Sequence, residues 1–448
     1  MERLGGEHEG PVSSVRQVAI ASSIGTALEW YDYFLYGTAA ALIFNQLFFP
    51  EAEPLVGTLL AFATYGVGFV TRPIGGLVFG HFGDKIGRKA MLVITLIIMG
   101  VATSIIGLMP TYESIGIWAA ILLVVLRLVQ GFGVGGEWGG AVLMAVEYAP
   151  TGRRGFYGSW PQMGVPAGLV LATVVFALFE QLPEEQFLAW GWRVPFLLSI
   201  ILVAVGLYIR LRLMESPAFR EVEETHTEAP MPILDVLRTY PKNVLLAMGA
   251  RVGDNMLFYI FTVFVLTYVV EELGLSESLA LIGVSIAAFL EFFAIPFFGW
   301  LSDRIGRRPV YMGGALFCIL FTFPYFWLMN TEVRILVWLA IVLSLVIGHA
   351  AMYAPQASFL SELFGTRVRY SGASIGYQLA PIVGGGIAPF IAVALLGSTG
   401  SYWPIALYMI GMASITVISV YLASETSFED ISDVEPEGQR RTAGEPAG

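Results

Sequence analysis

Apolar stretches of about 20 residues follow one another along almost the whole of this 448-residue chain. A helix rises about 1.5 Å per residue, so a stretch of that length crosses the hydrocarbon core of a bilayer. Hydrophobic residues make up 56% of the sequence and charged residues only 13%, far below the charged content of a soluble domain. The stretches lack the alternation typical of membrane strands. The sequence therefore predicts an all-α integral membrane protein.

Twelve transmembrane helices are predicted, in two sets of six. The predicted spans are residues 17–43, 56–80, 91–109, 116–146, 156–180, 193–211, 242–270, 279–301, 310–329, 334–358, 370–396 and 402–423. The expected organisation is an N-terminal tail (1–16), a six-helix bundle (17–211), a central linker (212–241), a second six-helix bundle (242–424) and an acidic C-terminal tail (425–448). The N-terminal residues lack the basic region and cleavage site of a signal peptide, so we expect the N-terminus to be retained.

Two motifs occur twice, at nearly the same spacing. A glycine-punctuated basic segment at residues 80–92 returns at residues 299–311, with five identical positions at an offset of 219. A shorter segment at residues 147–154 returns at residues 362–369, at an offset of 215. Recurrence in the same order indicates a duplicated half. The two six-helix bundles are therefore expected to be pseudo-symmetric.

The repeated motifs combine acidic residues, arginines and glycines at predicted helix ends. A charged cluster in such a place can hold one of two conformations, so we predict a cytoplasmic latch or gate. The predicted latch residues are Gly80, Asp84, Gly87, Arg88, Glu147, Arg154, Asp303, Gly306, Arg307, Glu362 and Arg369.

Lysine and arginine concentrate in alternate loops. Residues 45–56, 110–116, 180–192, 271–278 and 397–403 contain neither. Basic residues mark the loops that stay in the cytoplasm. Both termini and the central linker are therefore predicted to be cytoplasmic, with the protein in the cytoplasmic (inner) membrane.

Charged residues within the predicted spans each need a partner or a function, because a charge near the bilayer centre costs about 2.5 kcal/mol or more. These residues are Glu29, Asp32, Arg72, Arg127, Glu137, Arg251, Asp254 and Glu291, with His349 as a further titratable group. Three are basic and five are acidic. At least one carboxyl group is therefore expected to bind protons readily, which favours proton coupling.

Glu29 and Asp32 lie three residues apart, so on a helix they share one face. Like charges that close favour proton uptake. We predict that Glu29, Asp32 and Glu137 carry the coupled proton. The alternative is that Glu29 and Asp32 only pair with Arg127 to hold helices together.

Arginines in the fourth and seventh spans are candidates for binding a substrate. Arginine can bind a carboxylate bidentately, whether it belongs to Asp32, to Glu137 or to the substrate. The predicted substrate-binding residues are Arg127, Arg251, Tyr33, Tyr36, Asp254 and Tyr259. The alternatives are structural salt bridges for the charged residues and simple packing for the tyrosines. Glu291 is a candidate second protonation site, whereas a lone histidine such as His349 is usually just hydrogen-bonded.

The duplicated layout resembles that of the major facilitator superfamily, whose halves rock about a midplane site. The segment at residues 80–89 matches the signature of that superfamily, and residues 127–136 resemble its helix-4 signature. Residues 29–37, 135–140 and 190–196 and the segment Glu215-Ser-Pro-Ala-Phe look like the metabolite:proton symporter family. That family includes permeases for shikimate, α-ketoglutarate, citrate and proline or betaine, of which the shikimate permeases are the most similar. The resemblance implies proton-coupled uptake of a small organic acid or zwitterionic metabolite.

Other functional classes lack their motifs. There is no phosphate-binding loop, no metal-ligand cluster and no large soluble segment, so an enzyme or an ATP-driven pump is not expected. Cys318 is the single cysteine, which excludes a disulfide framework. We expect no cofactor beyond the proton gradient, no metal and no nucleic acid, and a monomer in the lipid bilayer. An osmolyte symporter, an exporter or a non-transporting sensor stay as alternatives, although the short C-terminal tail lacks the coiled coil of osmosensing carriers.

Overall fold

The computed structural model describes residues 14–212, 232–365 and 368–427, which contain twelve long helices and no strand. Helices α1 to α12 are Val15–Leu42, Pro54–Ile86, Arg88–Leu108, Ile117–Glu147, Arg154–Glu180, Arg193–Leu211, Pro241–Glu272, Glu277–Ile305, Arg307–Met329, Arg334–Glu362, Arg369–Thr399 and Trp403–Leu422. Helices α7, α10 and α11 contain π-helical turns. Short helices at Phe44–Phe48, Tyr112–Ile115, Glu184–Gln186 and Pro232–Thr239 lie between them. Most of the predicted tails and central linker lies outside the described residues.

Ten of the helices in the described part of the chain, α3 to α12, are long and apolar enough to cross a membrane. Helices α1 and α2, with 28 and 33 residues, complete the set of twelve. Large apolar side chains such as Leu320 and Ile335, 77% and 71% exposed, point outward as expected of a lipid-facing surface. The predicted twelve-helix membrane fold is confirmed.

The turns between α2 and α3 and between α8 and α9 each consist of one glycine. The sequence analysis expected loops at residues 81–90 and 302–309, but the helices continue to within one residue of each other. Gly87 and Gly306 have φ angles of 111° and 102°, a region that glycine enters without steric cost. The expected loops are therefore wrong, and the aspartate of each motif lies in the last helical turn.

Each half is held together by closely packed helix pairs. In the N-terminal half α1 packs on α5, α2 on α4 and α3 on α6, whereas α7 packs on α11 and α12 in the C-terminal half. Glycines bring α2 and α4 into backbone contact: a Cβ at Gly131 would lie 1.9 Å from the carbonyl oxygen of Gly68, and one at Gly135 would lie 2.0 Å from that of Arg72. The halves meet where α5 packs on α8 and α2 packs on α11.

Candidate functional site

Every charged side chain predicted within the spans is buried, and the structure adds one more. Arg210, which stands at the end of the predicted sixth span and was not counted among the intramembrane charges, lies in the last turn of α6 and is only 3% exposed. Room for its guanidinium comes from Gly25 on α1, where a Cβ would lie 2.7 Å from Arg210. The intramembrane count therefore becomes four arginines to five carboxyl groups, rather than three to five.

Glu29 and Glu137 lie together beside Arg210. Arg210 Nη2 lies 2.5 Å from Glu137 Oε1. The carboxyl group of Glu29 lies within interaction range of that of Glu137, and Glu29 Oε2 is buried with no hydrogen-bond partner among the described residues. Two neighbouring buried carboxyl groups favour a proton on one of them, because two like charges at short range repel. The structure thus joins α1, α4 and α6 through an acid pair that fits a single proton.

Asp32 does not pair with Arg127, which corrects the sequence-based interpretation. Its carboxylate accepts a hydrogen bond from Ser199 Oγ at 2.5 Å and lies close to Thr103, whose hydroxyl donates to the Met99 carbonyl at 3.0 Å. Gln130 Nε2 donates to Thr103 Oγ1 at 2.8 Å, and Arg127 Nη1 donates to Gln130 Oε1 at 3.1 Å. Asp32 and Arg127 are therefore connected through two polar side chains rather than by an ion pair.

Arg127 and Arg72 surround Tyr33. Each guanidinium carbon lies 4.3 Å from the centre of the Tyr33 ring, within cation–π range. Both arginines are buried, and neither forms an ion pair with a described carboxylate. Arg127 Nη2 and Arg72 Nε and Nη2 have no hydrogen-bond partner among the described residues. These N–H groups form a compact cationic centre in the N-terminal half.

Tyrosines from both halves border this cationic centre. Tyr36 and Tyr65 place their rings 4.4 Å and 4.9 Å from the Arg127 guanidinium. Tyr259, from α7, contacts Tyr65 edge-to-face with ring centres 6.5 Å apart. The Tyr36 hydroxyl donates to Thr64 at 2.7 Å, whereas the hydroxyls of Tyr33, Tyr65 and Tyr259 are buried with no hydrogen-bond partner in the described part of the chain. Three of these phenols can therefore donate to a ligand.

A second charged cluster lies in the C-terminal half. Arg251 pairs with Asp254 and donates to the Tyr377 hydroxyl at 2.7 Å. His349 Nε2 lies 3.3 Å from Asp254 Oδ1, and His349 Nδ1 contacts Glu291 Oε1. The cluster joins α7, α8 and α10, and all its members are buried. Arg251 is therefore already neutralised by Asp254, unlike Arg72 and Arg127.

Asp84 and Asp303 each cap a helix of the opposite half. Asp84 accepts hydrogen bonds from the backbone N–H and the hydroxyl of Ser371 on α11, at 3.1 Å and 2.8 Å. Asp303 accepts from the backbone N–H groups of Gly155 and Phe156 on α5, both at 2.8 Å. A carboxylate near a helix N-terminus is favourable because N–H groups and the helix dipole point toward it. The repeat thus produces two equivalent contacts between the halves.

Arginines surround these caps. Arg88 pairs with Glu147, and Arg307 pairs with Glu362 at 3.2 Å. Arg369 Nη1 lies 3.4 Å from Glu147 Oε1, which forms an ion pair between the halves. All five side chains are buried, so one end of the interface is a closed, charged layer.

The other predicted latch residues lie in the same layer. Arg154, the first residue of α5, is buried within electrostatic range of Glu362. A Cβ at Gly80 would lie 3.2 Å from Ser371 Cα, so glycine permits the approach of α2 to α11. Gly87 and Gly306 form the single-residue turns. The structure brings all the predicted latch residues together, while their role as a latch stays a prediction.

The residues that follow α12 pack against α9. Glu425 accepts the backbone N–H groups of Arg307 and Arg308, at 2.9 Å and 3.0 Å. Thr426 donates to Glu362 at 2.6 Å. Burial raises the pKa of Glu425, but the backbone hydrogen bonds outweigh it and hold that pKa below its usual value. The start of the acidic C-terminal tail is therefore a cap for α9.

Several contributors to the site escaped the sequence analysis. Gln130 stands three residues after Arg127, so its position on the same helix face was a detectable signal. Arg210 lies among the apolar residues that end the sixth span, and this position was a weaker signal. Ser199 and Thr103 carried no signal, because hydroxyl groups are common in membrane helices and only packing brings these two to Asp32.

The family model of the Major Facilitator Superfamily matches residues 22–380. The chain belongs to this superfamily. It is 43% identical to the shikimate transporter of Escherichia coli K12, over 93% of this chain and 96% of that protein. It is 40% identical to the inner membrane metabolite transport protein YhjE of the same organism, over 94% and 97%.

Among solved structures, the proton:xylose symporter XylE of E. coli, bound to 6-bromo-6-deoxy-D-glucose, has the same fold. The TM-score is 0.72 at 18% sequence identity, over 94% of this chain and 98% of that one. Membership of the superfamily makes this chain a multi-pass membrane transporter rather than an enzyme.

Proposed function

We propose that this protein is a proton-coupled symporter that carries a small carboxylate-bearing metabolite into the cell by alternating access. The observation behind this proposal is the pair of buried guanidinium groups of Arg72 and Arg127, which lack a carboxylate partner. A buried charge without a counter-charge costs several kcal/mol. An anionic substrate would supply that charge, and a carboxylate matches the arginine fork.

The chemistry around the arginines supports a small oxygen-rich ligand. The free hydroxyls of Tyr33, Tyr65 and Tyr259 would orient its polar groups. The name of the 43% identical relative agrees, because shikimate is a carboxylic acid. A zwitterion also carries a carboxylate and would fit the same arginines.

We assign proton binding to the Glu29–Glu137 pair, since its two buried carboxyl groups lie together and Arg210 pairs with Glu137. Asp32 would couple proton binding to substrate binding. A substrate that binds Arg127 competes with Gln130 for the guanidinium, which disturbs the hydrogen bond from Gln130 to Thr103, a neighbour of Asp32. Any resulting change in proton affinity at Asp32 must be matched by a reciprocal change in substrate affinity.

Alternating access would use the latch layer. With both halves joined through Asp84 and Asp303, that end is closed. The excess of basic residues supports a cytoplasmic position for this end, with both termini and the central linker inside the cell. Release of the substrate would then require these caps to separate. We further propose that the protein acts as a monomer in the cytoplasmic membrane, with the bundle, linker and tail boundaries given by the sequence analysis.

The test is uptake into proteoliposomes that contain the purified protein. A panel of radiolabelled carboxylates that includes shikimate and betaine is offered with and without an inward proton gradient, and shikimate methyl ester serves as the uncharged control. We expect a carboxylate to accumulate only with the gradient, and the ester not to accumulate. Uptake that ignores the gradient would refute proton coupling, and equal uptake of the ester would refute recognition of the carboxylate. Binding without counterflow would identify a sensor.

A further inference from the structure

The cluster in the C-terminal half contains two carboxyl groups, one arginine and one imidazole. Arg251 neutralises Asp254, so Glu291 has no cation of its own unless His349 is charged. Both ring nitrogens of His349 face carboxyl oxygens, whereas a neutral imidazole carries a single N–H. One further proton is therefore needed to complete the cluster.

The position of that proton follows from the burial of Glu291. Its Oε2 atom is buried and has no hydrogen-bond partner among the described residues. A bare carboxylate oxygen in such a place is unfavourable, whereas a protonated carboxyl group avoids the charge. Glu291 then donates its proton to His349 Nδ1, and His349 Nε2–H faces Asp254.

From this geometry we propose that Glu291 and His349 form a second proton-binding site, so that two protons move with each monocarboxylate. The proposal rests on the proposed symport. The titratable or charged groups around the site on each helix are Arg251 and Asp254 on α7, Glu291 on α8, Tyr311 and Cys318 on α9, His349 and Tyr353 on α10, and Tyr377 on α11.

A count of buried charges supports the second proton. With one proton on the Glu29–Glu137 pair and one on Glu291, three carboxylates face four arginines, which leaves one positive charge. A bound monocarboxylate would neutralise it. Helices α8 and α10 both pack on α5 of the other half, so rocking of the halves alters the surroundings of the site and offers a route for proton release.

Two protons and one monoanion carry one net positive charge inward, so uptake must respond to the membrane potential. At one net charge, an inside-negative potential of about 60 mV raises steady-state accumulation about tenfold. We expect this tenfold effect for radiolabelled shikimate in the unmodified protein, set by a potassium gradient with valinomycin. It should vanish in Glu291→Gln and in Glu29→Gln, which each lose one proton, and persist in the exposed control Glu180→Gln. Wild-type uptake that ignores the potential would overturn the second site while leaving proton coupling intact.

A measurement without substrate keeps the proposal falsifiable if a variant transports poorly. In infrared spectra of the purified protein at neutral pH, Glu291→Gln should remove a carboxylic-acid carbonyl band. Glu29→Gln should alter a separate band of the N-terminal pair, and Glu180→Gln should alter neither. An unchanged carboxylic-acid region in Glu291→Gln would show that Glu291 is ionised, which would overturn the proposal whether or not the protein transports shikimate.

Discussion

The four arginines buried outside the latch layer fall into two classes that the sequence does not distinguish. Arg210 and Arg251 pair with carboxylates, whereas Arg72 and Arg127 lie over aromatic rings with no carboxylate partner among the described residues. The charges of the first two arginines are balanced by carboxylates. The other two have N–H groups that can bind an anion. The distinction follows from the neighbouring helix in each case, since all four residues are arginines in apolar surroundings.

Replacing Arg127 by lysine should weaken substrate binding at least tenfold. Lysine keeps the charge but cannot form the bidentate contact with a carboxylate or the planar contact with Tyr33. The half-saturating concentration in counterflow measures the effect. Arg304→Lys is a matched control, because Arg304 also lies over an aromatic ring, 4.2 Å from the centre of Trp300, but is exposed. Equal affinity in Arg127→Lys and the control would exclude Arg127 from the binding site.

At the scale of helices, one local contact positions helices in each half. Backbone contact between α2 and α4 depends on glycine, and it places Arg72 and Arg127 on the same tyrosine. The start of α9 is capped by a residue more than a hundred positions later in the chain, Glu425. Both contacts depend on side chains, or on their absence, at single positions.

Gly131→Ala should destabilise the protein by about 1–3 kcal/mol, because its Cβ would lie 1.9 Å from the carbonyl oxygen of Gly68 and force the backbones apart. Gly313→Ala is the control, since no atom lies within 4 Å of the added Cβ. Thermal unfolding in detergent compares the two variants. Identical melting temperatures would show that α2 and α4 need no close contact.

Glu425→Gln should lower stability near neutral pH by about 1 kcal/mol or less, the usual scale for a partly exposed helix cap. Because folding depresses the pKa of Glu425, the contribution of its charge is present above the usual value of that pKa and is lost as the pH falls through the lowered one. Melting temperatures of wild type and variant should therefore approach each other as the pH falls beneath the ordinary glutamate pKa of about 4.3. A difference independent of pH would assign the effect to packing instead.

At the scale of the whole molecule, the duplicated halves are joined by contacts that the duplication itself supplies. Asp84 and Asp303 carry out the same capping on opposite sides of the pseudo-symmetry axis. The closed layer they form leaves the cationic centre around Tyr33 buried. A transport cycle must break these contacts without breaking either bundle.

Neutralising one cap should shift the protein toward the form open to the cytoplasm. Asp84→Asn keeps the shape of the side chain but weakens two hydrogen bonds to Ser371, an effect of about tenfold in population. A reporter cysteine at Ala357, buried beside α5, should then react faster with a maleimide, while substrate affinity stays within a few-fold. Asp235→Asn, on a short peripheral helix, is the control. Loss of substrate binding in Asp84→Asn would contradict a latch.

The orientation in the membrane is open to direct labelling. A cysteine at Glu185 should react with an impermeant maleimide in intact cells, whereas one at Arg238 should not, because the basic loops are expected inside. Both positions are exposed, and the native Cys318 is buried and silent. The reverse pattern of labelling would invert the proposed topology.

Apolar stretches, repeated motifs and basic loops were sufficient to predict the twelve-helix fold, because lipid imposes length and polarity limits that act locally along the chain. The same limits identified the buried charges within the spans except Arg210. They did not identify their partners: Arg210 meets Glu137 from 73 residues away, His349 meets Glu291 from 58, and Ser371 meets Asp84 from 287. Such contacts depend on the rotation and depth of each packed helix. Glycines such as Gly25 and Gly131 permit close approaches that a side chain at the same position would block. Tertiary packing alone therefore decides which arginines are neutralised by a carboxylate and which have no carboxylate partner among the described residues.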